Sequence, residues 1–235
     1  MAVIGRDIQV ATEILSRGEL VAIPTETVYG LAANALNVDA VIKIFDVKNR
    51  PSFDPLIVHI GTFETLENLV SEIPEKAEKL AEAFWPGPLT LLLPKKKVIP
   101  DLVTAGLHTV GIRMPDHELT IELLRALSFP LAAPSANPFG YVSPTTAMHV
   151  NDQLGNKIPY ILDGGLCDIG IESTIIGFDD GGTPTIHRLG GKTVEEIDDI
   201  VGAVEIRKHS SSRPSAPGML ESHYAPGKKV YLGTW

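Results

Sequence analysis

The sequence is short of three things. It has one cysteine, Cys167, in 235 residues. An intramolecular disulfide is excluded, and with no CxxC or CxxH neighbour the pattern argues against structural zinc. It has no uninterrupted apolar run near the roughly 18 residues needed to span a bilayer. Met1 to Gly18 carries Arg6, Asp7, Glu13 and Arg17, so no signal peptide or membrane partner is expected and a cytoplasmic location is. Cations are also scarce, 20 Lys and Arg against 29 Asp and Glu, a formal charge of -9. That balance argues against a protein whose main task is to sit on long nucleic acid. It leaves room for a small anion: screening acts over roughly 8 Å, whereas a cation about 4 Å from a phosphate gains on the order of 4 kcal/mol at an effective dielectric of 20. The GxxxxGK[ST] and GxGxxG phosphate loops are missing, as are Ser-His-Asp and HExxH patterns.

What is present reads as one α/β domain over residues 1–207 and a tail over 208–235. Asp7 to Arg17 has apolar residues at helical spacing and stops at Gly18; Leu20 to Pro24 is a short apolar strand. PTETVYGL follows, placing Thr25, Thr27 and Tyr29 just past a strand end, where hydroxyls either meet a ligand or cap the turn. Helices are predicted over Asp39 to Val47, Phe63 to Val70, Glu75 to Phe84 and Glu118 to Leu127. Strands are predicted over Leu56 to Ile60, Leu89 to Leu93, His108 to Pro115, Leu131 to Pro134, Ile158 to Leu162, Ser173 to Phe178 and Thr185 to Leu189. Alternation in HTVGIRMP puts Thr109, Gly111 and Arg113 on one face and Val110 and Ile112 on the other. Arg113 is then either a carboxylate-binding fork or an exposed edge-strand arginine. Ser135 and Asn137 stand at a strand end, where open α/β sheets bind ligands. Ser143 is read as the N-cap of a helix begun by Pro144, and a helix N-terminus also suits an anion. Thr193 and Glu196 make a capping box for Val194 to Val201.

The stretch VKNRPSFDPLIVHI, Val47 to Ile60, organises this reading. Were Val47 to Arg50 extended, Lys48 and Arg50 would point the same way and call for an anion. The alternative is a solvated basic turn, with His59 satisfied inside a core strand. The triplet Lys95 to Lys97 reads as a solvated turn. His209 to Pro217 is rich in Ser and Pro and reads as a linker. Gly218 to Gly227 carries Met219, Leu220, His223 and Tyr224, more than a free tail needs, and is expected to fold over a site.

PTETVYGL, KNRP followed by PLIVHI, WPGPLTLLL, TVGIRMP, APSAN, ESTII, HRLG and GMLESHYAP occur in that order from about Leu20 to Gly227. Together they closely resemble the YrdC-like family of threonylcarbamoyl-AMP synthases. The resemblance implies a twisted, open mixed α/β sheet with a concave, positively charged ligand face. It implies synthesis of threonylcarbamoyl-AMP and pyrophosphate from L-threonine, bicarbonate or CO2, and ATP, for threonylcarbamoyladenosine modification of tRNA. The product would pass to a separate tRNA threonylcarbamoyl transferase complex, and binding of tRNA itself would be weak or absent. By the same resemblance Lys48 and Arg50, the catalytic candidates, surround the phosphates with Ser135 and Asn137. Thr27, His59, Arg113 and Thr174 match the threonine site; Asp54, Thr109, Ser143, Arg188 and Tyr224 match nucleotide positions. Asp54 departs from the family's usual Asn, and a carboxylate there needs Mg²⁺ or a cation to offset it. Mg²⁺ is expected to arrive with ATP, with no protein-only metal site. Members with the GM...HYAP segment continue into a further domain, of which VYLGTW reads as a first strand left by truncation. Two other readings predict different behaviour: an RNA-binding or regulatory module of the same fold, and a carbamoyltransferase domain resembling those of hydrogenase maturation.

Overall fold

The computed structural model of the chain describes residues 1–179 and 181–207. Its first elements are β1 (Val3–Gly5), α1 (Ile8–Ser16), β2 (Val21–Ile23), β3 (Gly30–Asn34), α2 (Val38–Lys48) and β4 (Ile57–His59). Next come α3 (Phe63–Leu69), α4 (Glu75–Phe84), β5 (Leu89–Pro94), α5 (Asp101–Thr104), β6 (Thr109–Arg113) and α6 (Glu118–Ala126). The described chain closes with β7 (Leu131–Ala132), α7 (Ala147–Leu154), β8 (Tyr160–Leu162), β9 (Thr174–Phe178), β10 (Pro184–Arg188), α8 (Val194–Val201) and β11 (Glu205–Ile206). The strands join in one mixed sheet in the order β1-β8-β2-β3-β7-β4-β6-β5-β9-β10-β11.

Side chains alternate across the sheet, and the alternation decides which face is covered. In β2, β3 and β8, Val21, Ile23, Ala32, Tyr160 and Leu162 pack with α1 and α6, whereas Ala22, Leu31, Ala33 and Ile161 turn to the main core. This half of the sheet is covered on both sides. In the other half, Val58, Leu91, Leu93, Val110, Ile112 and Ile176 enter the main core, and only Ile57, Leu92 and Ile175 cluster on the opposite face. That thinly covered face carries the ligand-facing positions of β4 and β6. A fully buried Leu or Ile contributes roughly 1.5–3 kcal/mol relative to exposure, so the well-covered face holds the sheet while the other is left for polar groups.

The long amphipathic helices fall where their spacing puts them, and α8 begins at the Thr193 and Glu196 capping box. Four differences have local causes. First, β1 and β11 are three- and two-residue edge strands with too few residues for a period, and α5 is a single turn. Second, β3 is glycine and alanine rich, yet pairs antiparallel with β2. Third, the helix expected from Ser143 starts at Ala147 under a Thr146 N-cap, because the Pro144 carbonyl is already held by the Tyr29 N–H at 2.9 Å. Fourth, Val47 to Arg50 is not extended: α2 runs through Lys48, and Asn49 takes a left-handed conformation at φ 52°. The stretch read as a linker, Tyr224 and the strand expected at VYLGTW lie outside the described residues.

Candidate active site

The site grows from the C-terminal ends of two parallel neighbours. β4 and β6 pair in register with His59 opposite Arg113, so both side chains leave the same face side by side. Arg113 is 3% exposed and central in the sheet, which removes the edge-strand alternative. Its Nη1 donates to Thr27 Oγ1 at 2.8 Å and its Nε to the Gly87 carbonyl at 3.3 Å. Its Nη2 lies 2.7 Å from Glu26 Oε1, a close ion pair whose alignment falls short of a hydrogen bond. His59 is 3% exposed, with Nδ1 buried and unpartnered. Burial first, then Arg113, brings its pKa down to about 3, so the imidazole is neutral at pH 7.

The threonines divide their work. Thr25 Oγ1 accepts from the N–H groups of Thr27 and Val28 at 3.2 and 3.1 Å and shapes the turn after β2. Its neighbour Thr27 turns its hydroxyl to Arg113 and lines the cleft. Tyr29 points away, its hydroxyl donating to the Gly165 carbonyl at 2.7 Å.

The two cations at the end of α2 also separate. Arg50 Nη2 donates to the Pro55 carbonyl at 2.8 Å and lies 2.9 Å from Asp54 Oδ2, and the guanidinium reaches the cleft lining. Lys48 is 1% exposed and does not line the cleft. Its Nζ donates to the carbonyls of Ser135, at 2.6 Å, and Asn137, and its own carbonyl accepts from the Phe139 N–H at 2.8 Å. Lys48 therefore clamps the turn that presents Ser135. Burial, then Arg50, pushes its pKa well below the ordinary lysine value. Asp54 is fully buried behind Arg50; burial raises its pKa while Arg50 pulls against the rise.

Thr27, Arg50, His59, Arg113, Ser135 and Arg188 converge on one narrow cleft, together with Gly30 and Glu172. Val28, Glu172 and Arg188 also line a second, mainly apolar cavity of about 400 Å³, completed by Val142, Ser143, Ile171 and Leu189. Ser143 does not cap a helix; its Oγ donates to Glu172 Oε1 at 2.8 Å. The remaining candidates among the described residues are not on either wall. Asn137 is buried, its amide donating to the Tyr141 carbonyl at 2.7 Å. Thr174 Oγ1 donates to the Lys192 carbonyl at 2.6 Å. Thr109 sits at the far end of β6 beside Pro55 and Leu107. Two carboxylates escaped the sequence reading, Glu26 and Glu172, whereas the cation that a carboxylate at Asp54 was expected to need is Arg50. The one local signal for them is the position of Glu26 inside PTETVYGL and of Glu172 at the head of ESTII. Each guanidinium on the wall has a carboxylate beside it: Asp54 for Arg50, Glu26 for Arg113, and Glu172 at 3.8 Å for Arg188.

Among the described residues no group of three or more His, Cys, Asp and Glu could hold a metal ion. No helix there is long and apolar enough to cross a membrane. Burial raises the Cys167 thiol to about 11, which leaves it a poor nucleophile at pH 7.

The family model for Sua5, YciO and YrdC proteins, described as telomere recombination, matches residues 13–190. The chain belongs to the Sua5/YciO/YrdC family. A model described as the C-terminal domain of threonylcarbamoyl-AMP synthase matches residues 192–234. The threonylcarbamoyl-AMP synthase of Pyrococcus abyssi is 50% identical over 231 residues, 96% of this chain and 67% of that protein. That of Bacillus subtilis is 50% identical over 220 residues, 92% of this chain and 63% of that protein. The crystal structure of P. abyssi Sua5 complexed with L-threonine superposes with a TM-score of 0.92 at 47% identity, covering 96% of this chain and 69% of that one. The chain thus spans about two thirds of the length of these Sua5 relatives.

Proposed function

We propose that this chain is a threonylcarbamoyl-AMP synthase, using L-threonine, bicarbonate or CO2, and ATP. The observation that carries the proposal is the convergence of Arg113, Thr27 and His59 with Arg50, Ser135 and Arg188 in one cleft that shares Val28, Glu172 and Arg188 with an apolar cavity. A zwitterionic amino acid needs a fork for its carboxylate, and Arg113 supplies one already oriented by Thr27 and Gly87. The neutral His59 imidazole offers ring nitrogens to the amine or hydroxyl without adding a charge. The apolar cavity suits a purine, and the arginines suit its phosphates.

The threonine amine combines with CO2 and loses a proton to give a carbamate. A carbamate oxygen attacks the α-phosphorus, the bond from that phosphorus to the β-phosphate bridge breaks, and pyrophosphate leaves. No enzyme nucleophile takes part, so the residues act by positioning and by offsetting charge. Arg50 meets the charge that grows on the departing pyrophosphate, and buried Lys48 keeps the Ser135 turn in place. Magnesium would be held chiefly by the phosphates and water. The product would go to a tRNA threonylcarbamoyl transferase complex in the cytoplasm. In the decisive assay, pyrophosphate release from ATP requires both L-threonine and bicarbonate; release indifferent to threonine would sink the proposal.

A further inference from the structure

Among the described residues Glu172 is the one carboxylate on the walls of both cavities, and the adenylation chemistry above gives it no task. Its backbone is fixed: the Gly191 N–H donates to its carbonyl at 2.9 Å, and Gly190 packs so closely on that carbonyl that a Cβ would collide with it. Its side chain is 17% exposed. Oε1 accepts the Ser143 hydroxyl at 2.8 Å. Oε2 stands 3.8 Å from Arg188 Nη2, beyond hydrogen-bond reach. An ionised carboxylate has about four acceptor positions, so capacity remains toward the seam between the cavities.

A fixed carboxylate repels phosphates, so the part of a ligand lying against it must be neutral and rich in donors. In a nucleotide whose base fills the apolar cavity and whose phosphates meet the arginines, the pentose crosses that seam. Its vicinal 2′- and 3′-hydroxyls are two adjacent donors. We propose that Glu172 is a specificity-determining residue whose carboxylate accepts the ribose hydroxyls and selects ribonucleotides over 2′-deoxyribonucleotides. The inference rests on the nucleotide reading of the two cavities given above.

The test is equilibrium binding of ATP and of dATP to the full chain in magnesium without threonine, by titration calorimetry. The wild type binds ATP about tenfold or more tighter than dATP, the scale of one hydrogen bond to a charged acceptor. Glu172→Ala brings the two affinities within about twofold of each other, mainly by weakening ATP. Glu172→Gln keeps the shape and an acceptor for Ser143; it gives an intermediate ratio, and carries the comparison if the alanine variant does not fold. A wild type that binds both alike overturns the proposal. So does a variant that weakens both by one factor, which would leave Glu172 only holding Ser143 and Arg188, or one rescued by raised magnesium. Pyrophosphate release that ignores threonine would instead overturn the synthase reading and leave the ATP to dATP ratio standing. Absence of nucleotide binding by the wild type would overturn both.

Discussion

Arg113 shows what a single residue does here that its charge alone cannot. Its fork is held at Thr27 Oγ1, the Gly87 carbonyl and Glu26, three partners in three directions. A lysine brings a point charge with no planar geometry, so Arg113→Lys retains the formal charge and loses the orientation. L-Threonine binding should fall more than about tenfold while ATP binding stays within about twofold, on the scale of hydrogen bonds to charged groups. Parallel calorimetric titrations check this; equal loss of both ligands would mean that Arg113 shapes the whole cleft. The arginine was legible in TVGIRMP because strand alternation sets it opposite Val110 and Ile112. Its partner Glu26 was not, since a pair separated by 87 positions leaves no local trace and a lone glutamate reads as surface charge.

At the scale of elements, the junction after α2 decides how two cations two residues apart do different jobs. Asn49 at φ 52° ends the helix, sending Lys48 under the Ser135 turn and Arg50 to the wall. An asparagine tolerates that conformation and a β-branched residue does not. Asn49→Val should cost about 1–2 kcal/mol of stability and weaken ATP binding, whereas Asn49→Gly stays within about 0.5 kcal/mol. Urea denaturation of both variants, with nucleotide titration, distinguishes them; identical behaviour would show that the turn is not what separates the cations. The sequence pattern aligned the two cations only on the condition that Val47 to Arg50 be extended, because alternation is the simplest rule that points two such side chains the same way. The same limit explains β3 and β11: helices such as α4 and α8 repeat their apolar face often enough to be read, while GLAAN and Glu205–Ile206 do not.

For the whole molecule, burying titratable groups under the open face of the sheet gives stability a direction with pH. His59 is held at about 3 and His187 at about 4, each chiefly by burial, against roughly 6.5 in an unfolded chain. Between those values the unfolded chain binds protons that the folded chain refuses, so ν_U exceeds ν_N and unfolding free energy rises with pH. Lys48, lowered by burial and Arg50, has the same sign up to the ordinary lysine range. Asp54, raised by burial, opposes it only in the carboxylate range. Stability should therefore fall on acidification from pH 6.5 to 4.5, by roughly 2–3 kcal/mol from His59 and less from the more exposed His187. Urea midpoints across that window measure the slope, and His59→Gln, which cannot take up the proton in either state, should flatten most of it. A wild-type stability that is level or rises toward pH 4.5 would show that the buried imidazole is protonated in the folded protein, and with it that His59 meets threonine as a cation and not as a neutral ring.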